Sequence, residues 1–247
     1  MDREAKIISL VNREKEVEVS RLAEAFNVSQ VTIRKDLVHL EDLGFIKRHR
    51  GSVVLNDSDD TQIRLSSHYE EKLRIAQKAV ELVSDNETIM IENGSTCSLF
   101  ANEVATQHSG ITIITNSIFI VTHLRAIKGV KLVLLGGEFQ KSAQVNIGPM
   151  VEQMAANFYV DKLFVGVDGI DPIRGFTNNN LDRSEAARGM MRHAKQTIVL
   201  TDSTKFSNPG TVREFDFNDV SAIFTDDSID DRGIQLMRQN QLETVIV

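Results

Sequence analysis

The stretch Val28-Ser29-Gln30-Val31-Thr32-Ile33-Arg34-Lys35-Asp36-Leu37 decides how this chain is read. Ser29 is suited to cap a helix, and Ile33, Leu37 and Leu40 fall on one stripe of that helix. The other side offers short hydrogen-bonding residues at the N-terminal end, Ser29, Gln30 and Thr32, followed by the cations Arg34 and Lys35. A helix that docks by an apolar stripe and turns amides, hydroxyls and cations outward has the chemistry of a DNA recognition helix. Gln30 is the best candidate for a base edge, because its amide can pair with N6 and N7 of adenine. Arg34 and Lys35 suit phosphates.

The flanking sequence supplies the rest of such a module. Residues 2–12 carry Ala5, Ile7, Ile8, Leu10 and Val11, the spacing of a helix with one buried face. Val17-Glu18-Val19 reads as a short strand, and Ser20 as the cap of a second helix with Leu22, Ala23 and Phe26 inward. Asn27 tolerates the left-handed turn that must follow. The third helix is expected to run to about Leu43, with Gly44 as its C′ residue. Residues 45–49 and 52–55, separated by Arg50-Gly51, read as a small hairpin, a wing that brings Lys47, Arg48, His49 and Arg50 beside the groove or backbone. A solvated charged face on a small helical domain is the competing reading. Three helices, turn, cap and basic hairpin all agree on duplex DNA, so residues 1–55 are predicted to form a winged helix-turn-helix.

The whole-chain charge of -7 does not contradict this, since phosphates respond to fields within roughly 10 Å. A single cysteine, Cys97, excludes an internal disulfide framework and fits a reducing compartment. The N-terminus lacks a signal-peptide core, and no apolar run approaches the ~20 residues of a membrane span. A cytoplasmic protein with no membrane partner is expected. Nothing in the sequence calls for a metal or a cofactor.

Residues 56–66 open with Asn56-Asp57-Ser58-Asp59-Asp60 and read as an acidic linker. From residue 67 to 247, strand-like and helix-like segments alternate, which predicts an α/β domain with a mainly parallel sheet. Several strands end in residues suited to a phosphate. Gly94-Ser95-Thr96 opens a helix and offers backbone N–H groups, hydroxyls and a helix N-terminus. Asn116-Ser117 repeats the arrangement, and Gly136-Gly137 permits close backbone approach. In a parallel sheet these loops share the carboxyl edge, where ligands bind. Each alone is ordinary strand–helix turn chemistry; together they predict a shared site.

Asp168-Gly169-Ile170-Asp171 places two carboxylates in one turn, fit for sugar hydroxyls or proton transfer, or simply for turn formation. Lys205 in Asp202-Ser203-Thr204-Lys205-Phe206 could meet a phosphate or remain a surface lysine. Glu185 is a weaker candidate, and Cys97 reads as a small buried residue.

Much of this sequence resembles the DeoR family of bacterial repressors. The resemblance rests on Val19-Ser20-Arg21-Leu22-Ala23, Val28-Ser29, Thr32-Ile33-Arg34-Lys35-Asp36-Leu37, Leu40-Glu41, Gly44 and Arg48-His49-Arg50-Gly51-Ser52. It continues through Glu71-Lys72, Ile91-Glu92-Asn93-Gly94-Ser95-Thr96, Thr115-Asn116-Ser117, Gly136-Gly137, Gly166-Val167-Asp168-Gly169-Ile170-Asp171 and Asp202-Ser203-Thr204-Lys205-Phe206. It implies a C-terminal sensor domain similar in fold to ribose-5-phosphate isomerase, which binds a phosphorylated sugar or polyol as effector. It also implies double-stranded operator DNA as partner and a homo-oligomer, dimer or tetramer. Two departures stand out. The family's usual His-Gly-Gly-Ala is His49-Arg50-Gly51-Ser52 here, and Glu92 stands where the family often has Asp.

An isomerase-like enzyme fused to a DNA-binding module is the alternative. The turn at Asp168 resembles the isomerase's Asp-Gly-Ala-Asp, but the Lys-Gly-Gly segment that follows there has no lysine counterpart in Arg174-Gly175-Phe176-Thr177-Asn178. A sensor needs only to hold the sugar phosphate, so a regulator is expected, without catalytic residues.

Overall fold

Ile7, Ile8 and Val11, Leu22 and Ala23, and Ile33, Leu37 and Leu40 are buried together, so the three predicted stripes meet in one core. A computed structural model describes residues 3–42, 46–55 and 61–247, and the chain divides into the units Met1–Tyr69 and Glu70–Val247. The first unit runs α1 (Arg3–Glu14), β1 (Glu16–Glu18), α2 (Val19–Ala25), α3 (Gln30–Asp42), β2 (Ile46–Arg48), β3 (Ser52–Leu55) and α4 (Thr61–Ser66). The strands form an antiparallel sheet in the order β1-β3-β2, with Val53 opposite both Val17 and Arg48. Asn27 takes the left-handed conformation between α2 and α3, as its amide side chain allows.

Two local expectations change in this unit. Helix α2 begins at Val19, before Ser20; its N-cap is Glu18, and the Ser20 hydroxyl donates to the Glu18 carboxylate instead of capping. Residues 61–66, read as linker, form α4, which packs on α1 with Thr61 buried; the acidic run misled because it stops just short of that helix. The expected C′ glycine, Gly44, lies outside the described residues, as do the acidic residues 56–60.

The second unit opens with α5 (Tyr69–Ala79), which a 3-10 turn, Val80–Leu82, follows. There follow β4 (Thr88–Ile91), α6 (Ser95–Gln107), β5 (Thr112–Thr115), α7 (Ile118–Leu124), β6 (Lys131–Leu134), β7 (Glu138–Gln140), β8 (Val145–Ile147) and α8 (Pro149–Ala155). The chain continues with β9 (Val160–Val165), β10 (Gly169–Asp171), β11 (Gly175–Asn178), α9 (Leu181–Met191), β12 (Ala194–Leu200), β13 (Val212–Phe215), β14 (Ala222–Thr225), α10 (Asp231–Gln239) and β15 (Glu243–Ile246).

The main sheet is parallel throughout, in the order β15-β14-β12-β9-β4-β5-β6. Period-two alternation sorts its side chains onto two faces. Ile89, Ile91, Ile113, Phe164, Ile198 and Phe224 join Ile75, Phe100, Val104 and Leu124 of α5, α6 and α7 on one face. Met90, Ile114, Leu163, Val165, Val199 and Ile223 join Val151, Ala187, Met190 and Met237 of α8, α9 and α10 on the other. Both faces are covered, which is why the strands read as continuous apolar runs.

The strand order fixes the edge that matters. From β4 the chain moves outward through β5 and β6. From β9, on the other side of β4, it moves outward through β12, β14 and β15. The order therefore reverses between β4 and β9, and the place outside their carboxyl ends is where open α/β sheets bind ligands. A small antiparallel sheet, β10-β11-β13, starts three residues beyond β9 and stands beside this edge. Gly175 lets its hairpin close: φ is +75°, and a Cβ there would lie 2.5 Å from the Phe215 carbonyl oxygen.

Candidate functional site

The outward face of α3 and the wing form a groove of about 410 Å³ whose lining includes Gln30, Arg34, Glu41, Arg48 and His49. Ser29 caps α3: its Oγ accepts from the Thr32 N–H (3.1 Å) and shares a hydrogen bond with the Thr32 hydroxyl (2.9 Å). Both hydroxyls are thereby committed to holding the first turn. Gln30, Arg34 and Lys35 are exposed and project from the helix.

The wing is set against α3 by Glu41, which accepts from the Arg48 backbone N–H at 2.9 Å and from its guanidinium. The backbone hydrogen bond, then the guanidinium, hold the Glu41 carboxyl below its ordinary range. A second tie runs from the Val19 N–H to the Gly51 carbonyl at 3.0 Å. The wing turn closes with His49 N–H on the Ser52 carbonyl (2.9 Å), and Gly51 takes the positive φ of +91°. Arg50 has an ordinary backbone at the exposed tip, so it needs no glycine there. Lys47, Arg48, His49 and Arg50 are all exposed. Arg3 and His39 brace the far side of α3 by pairing Arg3 with Asp36 and His39 with Glu4.

At the carboxyl edge of the main sheet, Gly94 is the N-cap of α6, and its Cα side abuts Gly166 after β9, with a built Cβ 3.7 Å from the Gly166 Cα. Glu92, Ser95 and Thr96 are buried beside it. The first N–H groups of this 13-residue helix have no carbonyl partner within the helix, and they carry the positive end of its dipole. Asn93 accepts from the Ser117 hydroxyl (3.0 Å), and Ser117 caps α7 through the Ile120 N–H (3.2 Å). Asn116 donates to the Asn146 carbonyl (3.1 Å), stitching the end of β5 to β8, while its own side-chain oxygen is buried without a hydrogen-bond partner.

On the β9 side, Asp168 accepts from the Asn179 N–H (3.0 Å) and lies 3.8 Å from the buried Arg183 guanidinium. Next to it is Glu214, fully buried, one oxygen accepting from Asn178 (3.2 Å) and the other without a partner. Burial first, and the Asp168 charge second, push the Glu214 carboxyl up to about 8, so it carries a proton at neutral pH.

The sequence candidates thus divide by place. Glu92, Gly94, Ser95 and Thr96 follow the end of β4, and Asp168 follows the end of the adjacent parallel strand β9. Asp171 is spent on its own hairpin, accepting from the Arg174 guanidinium (2.9 Å) and from the backbone N–H groups of Arg174 (2.8 Å) and Ile173 (2.9 Å), which in that order hold its carboxyl near 2. Gly136 donates its N–H to Met154, and Gly137 packs on the Ile147 carbonyl, where a Cβ would stand 2.4 Å away. Asp202 caps the 3-10 turn Ser203–Phe206, which carries half-buried Lys205, and lies 3.9 Å from buried Lys72. Glu185 is exposed and lines a groove with Pro149, Glu152, Arg188 and Arg192. Helix α9 sends Arg183 toward Asp168. Arg183 and Glu214 carry no local pattern that marks them in the sequence, and Asn178 stands there only as the end of the stretch compared with the isomerase segment.

Residues 3–59 match the DeoR-like helix-turn-helix domain, and residues 67–227 match the DeoR C terminal sensor domain. A provisionally named aga operon transcriptional repressor of Escherichia coli O157:H7 is 30% identical, covering 100% of this chain and 93% of its own. An L-fucose operon activator of Haemophilus influenzae is 28% identical over 99% of both chains. Among solved structures, the ribose 5-phosphate isomerase A of Methanocaldococcus jannaschii aligns over 57% of this chain and 55% of its own, with 21% identity and a TM-score of 0.43.

Proposed function

Since the chain belongs to the DeoR family of transcriptional regulators, we propose that it represses a carbohydrate or polyol utilisation operon and is released from its operator by a phosphorylated sugar or polyol. The observation that carries this reading is the pairing, in one chain, of a basic helix–wing groove with a sheet edge whose order reverses at a helix N-terminus. The effector's phosphate lies at Gly94, Ser95 and Thr96, where backbone donors and the α6 dipole favour an anion. Asp168, on the β9 side, faces the sugar hydroxyls.

The family is one of regulators, and the isomerase alternative is not carried further. Asp171 supports that choice, since both its oxygens are occupied by its own hairpin. The protein acts in the cytoplasm, where its DNA target is. Among the described residues no helix is long and apolar enough to cross a membrane. It works as a homo-oligomer, so that two winged modules meet repeated half-sites.

The test is fluorescence anisotropy with the duplex upstream of the gene, titrated with a panel of phosphorylated sugars and polyols. One of them is expected to weaken binding by about 5–150-fold, a coupling of ~1–3 kcal/mol. Tight DNA binding that no member of the panel alters would refute the switch. Tighter binding with the phosphosugar would make it a co-repressor and overturn release.

A further inference from the structure

We propose that Val31 reads the C5 methyl group of a thymine, so that α3 recognises sequence through one amide and one apolar contact side by side. The inference rests on the reading of α3 as the DNA-contacting helix.

Val31 is 64% exposed, whereas Ile33, Leu37 and Leu40 are at most 1% exposed and carry the whole docking stripe. It therefore contributes nothing to the core of its unit. A β-branched residue also lowers helix propensity slightly, so its presence on an open helical surface has no local benefit. The rest of the first turn is already committed: the Ser29 and Thr32 hydroxyls bond each other and the cap, and Ile33 is buried. Gln30 and Val31 are the two side chains left open at the end of the helix that approaches base edges.

Gln30 points into the groove shared with the wing, and Val31 does not line that groove. Successive helical residues diverge by about 100° and rise about 1.5 Å, so the two reach neighbouring base pairs. On a base-pair edge in the major groove the thymine methyl is the apolar group that two valine methyls can cover. Lys35, one turn further on and exposed, places a cation above the same side. The preferred half-site thus holds a thymine within one or two base pairs of the adenine read by Gln30.

The experiment uses the full-length protein and a duplex that it enriches from a random-sequence pool. Each thymine is replaced in turn by deoxyuridine, which removes the methyl and keeps every hydrogen-bonding group. At one position per half-site, wild-type affinity is expected to fall about fourfold, the worth of one buried methyl. V31A should lose most of the difference between the thymine and uracil duplexes at that position and keep the adenine preference; Q30A should lose the adenine preference and keep the methyl effect. Indifference of the wild type to every replacement, or full methyl sensitivity in V31A, would overturn the proposal. So would a smaller sedimenting mass for V31A, which would assign Val31 to contact between copies. If the pool yields no enriched duplex, the DNA reading itself fails.

Discussion

Replacing Glu214 with glutamine isolates the most unusual ionisable group in the sensor unit. The carboxyl is fully buried on β13, holds one hydrogen bond from Asn178, and sits beside the Asp168 charge, with Arg183 and Arg188 opposing more weakly. Its value of about 8 lies above the ordinary 4.5, so the folded protein keeps a proton that the unfolded chain releases. Folding therefore takes up a proton between about pH 4.5 and 8, and stability falls as pH rises through that window. At about 1.4 kcal/mol per pH unit, the loss between pH 5 and pH 8 is roughly 3–4 kcal/mol. Glutamine keeps the acceptor for Asn178 and puts a neutral amide where the protonated acid stood. Urea denaturation of the full chain, followed by the accessibility of buried Cys97, reports this unit, since the chain has a single cysteine and it lies there. Wild type and E214Q should be nearly equal at pH 5, and E214Q more stable by roughly 3–4 kcal/mol at pH 8. Parallel stability curves from pH 5 to 8 would mean that the carboxyl is ionised in the fold and would refute the reasoning.

Three further outcomes follow from geometry already described. Arg34→Ala should weaken binding to all duplexes and flatten the salt dependence by a slope of about 0.9 for one lost phosphate contact, measured by anisotropy between 50 and 200 mM salt (roughly the range over which such contacts are resolved); an intact slope with altered sequence preference would reverse the roles of Arg34 and Gln30. Glu41→Ala removes a negative charge from the groove yet should lower DNA affinity about fivefold, the worth of one hydrogen bond, because Arg48 and the wing lose their tether to α3; a gain in affinity would show that charge outweighs positioning. Gly175→Ala should destabilise the sensor unit by roughly 2–4 kcal/mol, through left-handed backbone strain and contact with the Phe215 carbonyl, and unchanged urea midpoints would count against the hairpin geometry.

The helices and main strands were legible because their signal is local and repetitive. Ile33, Leu37 and Leu40 announce α3, and continuous apolar runs such as Ile89-Met90-Ile91 announce strands covered on both faces. The three-residue strands β7, β8 and β10 were not legible, because three residues carry little signal unless a neighbouring motif, as at β1 and β2, calls for a strand. The same limit applies to the site. Gly94-Ser95-Thr96 stands out as a strand–helix turn, whereas Arg183 and Glu214 look like ordinary surface charges until β11, β13 and α9 bring them beside Asp168. Asp171 had two readings in the sequence, a pair with Asp168 or a turn residue, and its oxygens are held by the turn.

The wing turn divides labour between two neighbours. Gly51 absorbs the backbone demand of the bend with its positive φ, and Arg50 at the exposed tip is released from any conformational duty. A residue in that position can be exchanged among charged, polar and small types while the hairpin keeps its course. If the wing is a DNA contact, as proposed above, single substitutions at the tip would retune its grip on a phosphate or a groove while the hairpin stays folded. In such a module the tip is free to diversify as operators diverge, and the glycine beside it is the fixed point that makes the drift safe.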